Sequence, residues 1–91
     1  MADKIHLSVI SADGLKLDRM VSYVLIPAET GSVGVLADHL PMLCAVKHGV
    51  MKCWSEQKEA VYLEVRDGIA SVFENEVAFL VTDAKEVTGT M

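Results

Sequence analysis

Apolar and polar side chains alternate with a period of two along much of this chain. Ile5, Leu7 and Val9 are separated by His6 and Ser8, the pattern of a strand with one buried face. Ala12-Asp13-Gly14 then supplies turn chemistry. Residues 20–26 form an almost unbroken aliphatic run that stops at Pro27, which predicts one strand apolar on both sides. Residues 42–46 and 50–54 predict two short strands joined as a hairpin by Lys47-His48-Gly49. After the polar break Glu56-Gln57-Lys58, Val61, Leu63 and Val65 resume the alternation and run to a turn at Arg66-Asp67-Gly68. Residues 69–73, a turn around Glu74-Asn75, and residues 77–81 predict a second hairpin.

No window carries a sustained helical stripe. The one helix candidate is Thr82 to Val87, with Thr82 or Asp83 as N-cap and Glu86 placed for a capping box. About eight to ten short, mostly antiparallel strands with turn signals every 8–12 residues predict an all-β fold, a single β-sandwich or flattened barrel. The domain is expected to span 1–86, with 87–91 as a short tail.

The segment from Pro27 to Leu43 stands apart from this alternation. Pro41 and Pro27 bias Leu40 and Ile26 away from helix. Gly31 and Gly34 admit positive φ or close backbone approach. The stretch reads as an ordered, non-helical connection that displays a fixed surface. Gly31-Ser32-Val33-Gly34 lacks both the strand–elbow–helix setting of a hydrolase nucleophile and the Gly-Lys-Ser/Thr of a phosphate loop.

Composition narrows the choice further. With 91 residues there is room for one core, and with 52% apolar but 5% aromatic residues that core must be aliphatic. Mean hydropathy is +0.35, yet no run approaches the ~18 apolar residues of a membrane helix. The chain is expected to be soluble and not exported, with part of its surface covered by a partner. A net charge of −5 argues against nucleic-acid binding. The acids concentrate late: residues 56–91 carry eight acids against three bases. Glu74 and Glu76 read as solvated carboxylates at a turn rim. Cys44 and Cys53 are expected as free, core-type thiols, placed to face each other across the first hairpin. Met20, Met42 and Met51 read as fillers of an aliphatic core or, alternatively, as part of an adaptable binding surface. No catalytic constellation and no cofactor site emerges. A metal or small-ligand site built from His39, His48 and Cys44 is the alternative reading, and an acidic adaptor of unrelated assembly is a third.

The order of these features resembles the N-terminal β-sandwich domain of the ε subunit of F-type rotary ATP synthases (δ in mitochondria). His6-Leu7-Ser8-Val9-Ile10-Ser11-Ala12 matches the family's opening strand, and Pro27 to Leu43 its glycine- and proline-rich segment. Lys47-His48-Gly49, the stretch from Leu63 to Val72, and that from Val77 to Ala84 follow in order. Ser32 stands where many relatives carry an acid, Ala37-Asp38 replaces Pro-Gly, and Arg66-Asp67-Gly68 replaces Ser-Gly-Gly. The family's C-terminal helical hairpin, with the ATP site some members carry there, has no counterpart in these residues. The resemblance implies a non-catalytic rotor subunit without the inhibitory helices, coupling the γ subunit to the membrane c-ring. It implies a c-ring or γ contact loop of Glu29, Gly31, Ser32, Val33, Gly34, His39 and Pro41, with Gly31, Ser32, Val33, Gly34 and His39 resting on the polar loops of the c-ring and one sandwich face packing on γ. It also implies a place peripheral to the energy-transducing membrane, on the cytoplasmic side of a bacterial inner membrane.

Overall fold

The computed structural model describes residues 3–57 and 59–87. Among these there is no helix, and eight strands follow in order: β1 (Ile5–Ser11), β2 (Gly14–Val21), β3 (Tyr23–Ala28), β4 (Gly31–Leu36), β5 (Met42–Val46), β6 (Gly49–Trp54), β7 (Ala60–Phe73) and β8 (Glu76–Val87). They form one hydrogen-bonded sheet in the order β2-β1-β8-β7-β5-β3-β4, with β6 joined to β3 and β7. The pairings are antiparallel except that β1 runs parallel to β8.

The β7–β8 hairpin folds this sheet into two layers. Its turn residues Glu74 and Asn75 have φ of 49° and 64°, the left-handed pair of a type I′ turn. β1 pairs with residues 76–80 of β8 and β5 with residues 68–72 of β7, whereas β6 pairs with residues 60–65 of β7. One layer is therefore β2-β1-β8-β7-β5. The other is β4-β3-β6-β7 with the last residues of β8.

Both long strands bend where they pass between layers. In β7 the buried set is Leu63 and Val65 before the bend but Ala70 and Val72 after it. In β8 it changes from Val77, Phe79 and Val81 to Ala84. A straight strand would turn its apolar set outward at such a parity change; the bend keeps both halves facing one core. Asp67 takes a φ of 28° there. A Cβ on Gly68 would lie 2.6 Å from the Val81 Cα and against the Leu80 carbonyl oxygen, so only glycine fits.

Four local expectations are corrected. Lys47-His48-Gly49 is not a hairpin turn. β5 and β6 do not pair with each other; they lie on β7 in one continuous register, with Val46 opposite Gly68 and Gly49 opposite Val65. Lys47 and His48 thus bend one long strand opposite Arg66 and Asp67, which are likewise a bend and not a turn. The run 20–26 divides at Ser22, whose N–H donates to the Trp54 carbonyl, so β2 and β3 belong to different layers. Residues 82–87 are strand, not helix: Asp83 to Val87 pair with Arg66 to Tyr62. Val87 closes β8, and residues 88–91 of the expected tail lie outside the described residues, as does Lys58 of the polar break.

The core between the layers is aliphatic apart from Phe79, with Ile5, Leu7, Ile26 and Met51 fully enclosed. Met42 packs partly against it, but Met20 is 49% exposed and is not a core filler.

Candidate interaction surfaces

The residues singled out between positions 27 and 43 do not form one loop. Glu29 and Thr30 are the two-residue turn of the β3–β4 hairpin, which closes with Ala28 opposite Gly31. Gly31, with φ of 129°, starts β4 in a conformation that other residues rarely adopt. Ser32, Val33 and Gly34 continue as strand against Pro27, Ile26 and Leu25. Gly34 leaves room for the Tyr23 ring, whose hydroxyl would collide with any Cβ there. This end of the sandwich also holds the β5–β6 bend, because Glu29 N–H donates to the Ala45 carbonyl and Lys47 N–H to that of Pro27.

His39 and Pro41 lie beyond the opposite end of β4. Asp38, with φ of 66°, donates its N–H to Asn75 Oδ1 at 2.6 Å, and Asn75 Nδ2 returns a bond to Asp38 Oδ1 at 3.3 Å. These bonds pin the β4–β5 connection to the β7–β8 turn. His39 is satisfied locally, its Nδ1 2.7 Å from the Leu40 carbonyl. Leu40 projects beside it at 78% exposure.

The same placement dismantles the alternative metal site. His39 and His48 flank opposite ends of β5, with Cys44 between them, and His48 Nε2 is engaged 2.6 Å from Glu64 Oε2. That bond holds the Glu64 carboxyl below its usual range. Among the described residues no cluster is arranged to hold a metal ion, and no cavity opens. Cys44 and Cys53 are free thiols that do not face each other: they lie opposite Ala70 and Val61, far apart on β7. Burial pushes both thiols up, away from the reactive thiolate.

What the alternation in the sequence did not reveal is how the outward positions add up. Side chains opposite one another in neighbouring strands share a face. Leu15, Ile10, Leu80, Ile69 and Ala45 therefore form a single row across five strands of the first layer. Met20, His6, Glu76 and Phe73 form a second row on the same face, and the row between them runs Asp18, Ser8, Ala78, Ser71 and Leu43. Of the nine exposed large hydrophobic residues, only Leu36 and Leu40 lie elsewhere. The opposite outer face carries half-buried aromatic residues instead, with Tyr23 and Trp54 rings 5.1 Å apart and Lys52 Nζ 5.9 Å above Tyr62.

One charged group interrupts the aliphatic face. His6 bridges two strands' carboxylates, with Nε2 2.6 Å from Asp18 Oδ1 on β2 and Nδ1 2.8 Å from Glu76 Oε1 on β8. The Asp18 carboxylate, and then Glu76, raise the His6 pKa above 6.5. Glu76 is therefore not simply a solvated rim residue.

Comparison with known proteins agrees with this architecture. The ATP synthase delta/epsilon chain β-sandwich domain family matches residues 4–87. The chloroplast ATP synthase epsilon chain of Cyanidioschyzon merolae is 38% identical over 80 residues, covering 88% of this chain and 60% of the relative. The ATP synthase epsilon chain of a Synechococcus species is 36% identical over 77 residues, covering 85% and 55%. The chain thus spans little more than half the length of these relatives. Among solved structures, a chain of the Euglena gracilis mitochondrial ATP synthase, seen with its OSCP, F1 and c-ring, superposes with a TM-score of 0.86. At 22% identity over 94% of this chain and 55% of that one, the likeness establishes the fold.

Proposed function

The chain belongs to the ATP synthase delta/epsilon β-sandwich family, and from that premise we propose that it is a non-catalytic rotor component linking the γ subunit to the c-ring. The collinear match over residues 4–87 carries this reading. The surface supports it. Torque transfer needs a stiff body held between two partners, and a two-layer sandwich with a satisfied core supplies one. No buried side-chain nitrogen or oxygen among the described residues lacks a hydrogen-bond partner.

Within this reading the aliphatic face packs on γ. A sheet face that gathers seven exposed large hydrophobic residues is the surface a small domain gains most by covering, at about 25 cal/mol per Å² of apolar area removed from water. The β3–β4 end, with Glu29, Gly31, Ser32, Val33 and Gly34, rests on the polar loops of the c-ring. His39 and Pro41 border the γ side, because their connection is tied to the turn that follows Phe73. The complex holds the chain at the surface of the energy-transducing membrane, on the cytoplasmic side in a bacterium.

Co-expression of the chain with γ and the c-ring from the same genome tests the proposal. It predicts a stable γ complex and no ATP hydrolysis by the chain alone. Elution of the chain separately from both partners would refute it.

A further inference from the structure

We infer that the surface covering the aliphatic face is apolar but carries one cationic side chain, seated on the Asp18 and Glu76 carboxylates beside His6. This rests on the reading of that face as the γ contact and adds the chemistry of the partner. Two of the three charged side chains that the register places in the face's rows are carboxylates, and the third is the histidine between them. Even with His6 protonated the island is left with one net negative charge. Each carboxylate spends one oxygen on His6, and the other makes no hydrogen bond to a described residue. Their side chains are 50% and 63% exposed.

An apolar cover alone would strip water from a net charge whose His6 and Glu76 lie between Met20 and Phe73 in one row and whose Asp18 lies in the adjoining row with Leu43, which is strongly unfavourable. A guanidinium or ammonium from the partner removes that penalty by bonding the free oxygens, and it fixes the register of docking. His6 acts here as a positioning residue. Its two bonds tie the carboxylates of β2 and β8 to β1.

The test is the affinity of the full chain for recombinant γ from the same genome, measured at low and high salt. Three variants are compared: Leu80→Asp, the double variant D18N/E76Q, and the charge reversal Glu76→Lys. Leu80→Asp is expected to abolish binding, which checks the face. The double variant is expected to lose about tenfold or more in affinity and to flatten the salt dependence, and Glu76→Lys to lose more. Thermal melting confirms folding; should the double variant fail to fold, Glu76→Lys alone decides. If D18N/E76Q and Glu76→Lys bind as the parent does while Leu80→Asp does not, the face stands and the cationic partner is overturned. If Leu80→Asp binds normally, or the parent does not bind γ, the reading of the face fails and the inference falls with it.

Discussion

His6 shows how one side chain joins three strands and makes their joining sensitive to pH. Its ring is held by carboxylates on β2 and β8, and the charged form is favoured, first by Asp18 and then by Glu76. A raised folded-state pKa means that its stabilisation is complete below the unfolded value of about 6.5 and is lost as pH rises through the folded value. The melting temperature is therefore expected to fall as pH is raised from about 6 to 9, and His6→Gln should remove most of that slope. Differential scanning calorimetry across this range is the check; an identical slope in the variant would contradict it. Nothing in the sequence announced this group. Its partners are 12 and 70 residues away, and only the pairing of β1 with both β2 and β8 brings them together. In the segment from Pro27 to Leu43 the positive φ of Gly31 was legible, because glycine acts locally, but the strand β4 was not.

At the scale of elements, the bend shared by β5–β6, β7 and β8 is what makes one sheet into a sandwich. Lys47-His48-Gly49 and Arg66-Asp67-Gly68 offer the same local chemistry whether a chain reverses or merely bends, so turn residues alone misread both. The better signal was the change of parity from Leu63 and Val65 to Ala70 and Val72, which a true turn does not require. Thr82 to Val87 misled for a related reason: its capping residues are real, but Ala84 is buried and pairs with Val65, and that pairing wins. Two substitutions test the bend. Gly68→Ala places a Cβ against the β8 backbone and is expected to cost about 3 kcal/mol or more, because backbone cannot step aside. Asp67→Gly relieves a left-handed conformation that glycine adopts freely and is expected to stabilise by about 0.5–1 kcal/mol. Urea denaturation measures both, and the opposite sign in either would contradict the assigned geometry.

The whole molecule is a small sandwich with one aliphatic and one aromatic outer face. Phe79→Ala, which empties the largest fully buried side chain, is expected to cost about 3–5 kcal/mol. That is a large share of the 5–15 kcal/mol typical of a domain. Covering the aliphatic face adds apolar burial that the free chain lacks, and the chain is expected to melt higher in complex than alone. In the proposed assembly this face, and not the aromatic one, meets the γ subunit. Hydroxyl-radical footprinting of the chain with and without γ reads it directly. Met20 and Phe73, 49% and 58% exposed in the free chain, are predicted to become protected from oxidation, with Tyr23 and Trp54 unchanged. Protection of Trp54 with Met20 and Phe73 as reactive as before would contradict it.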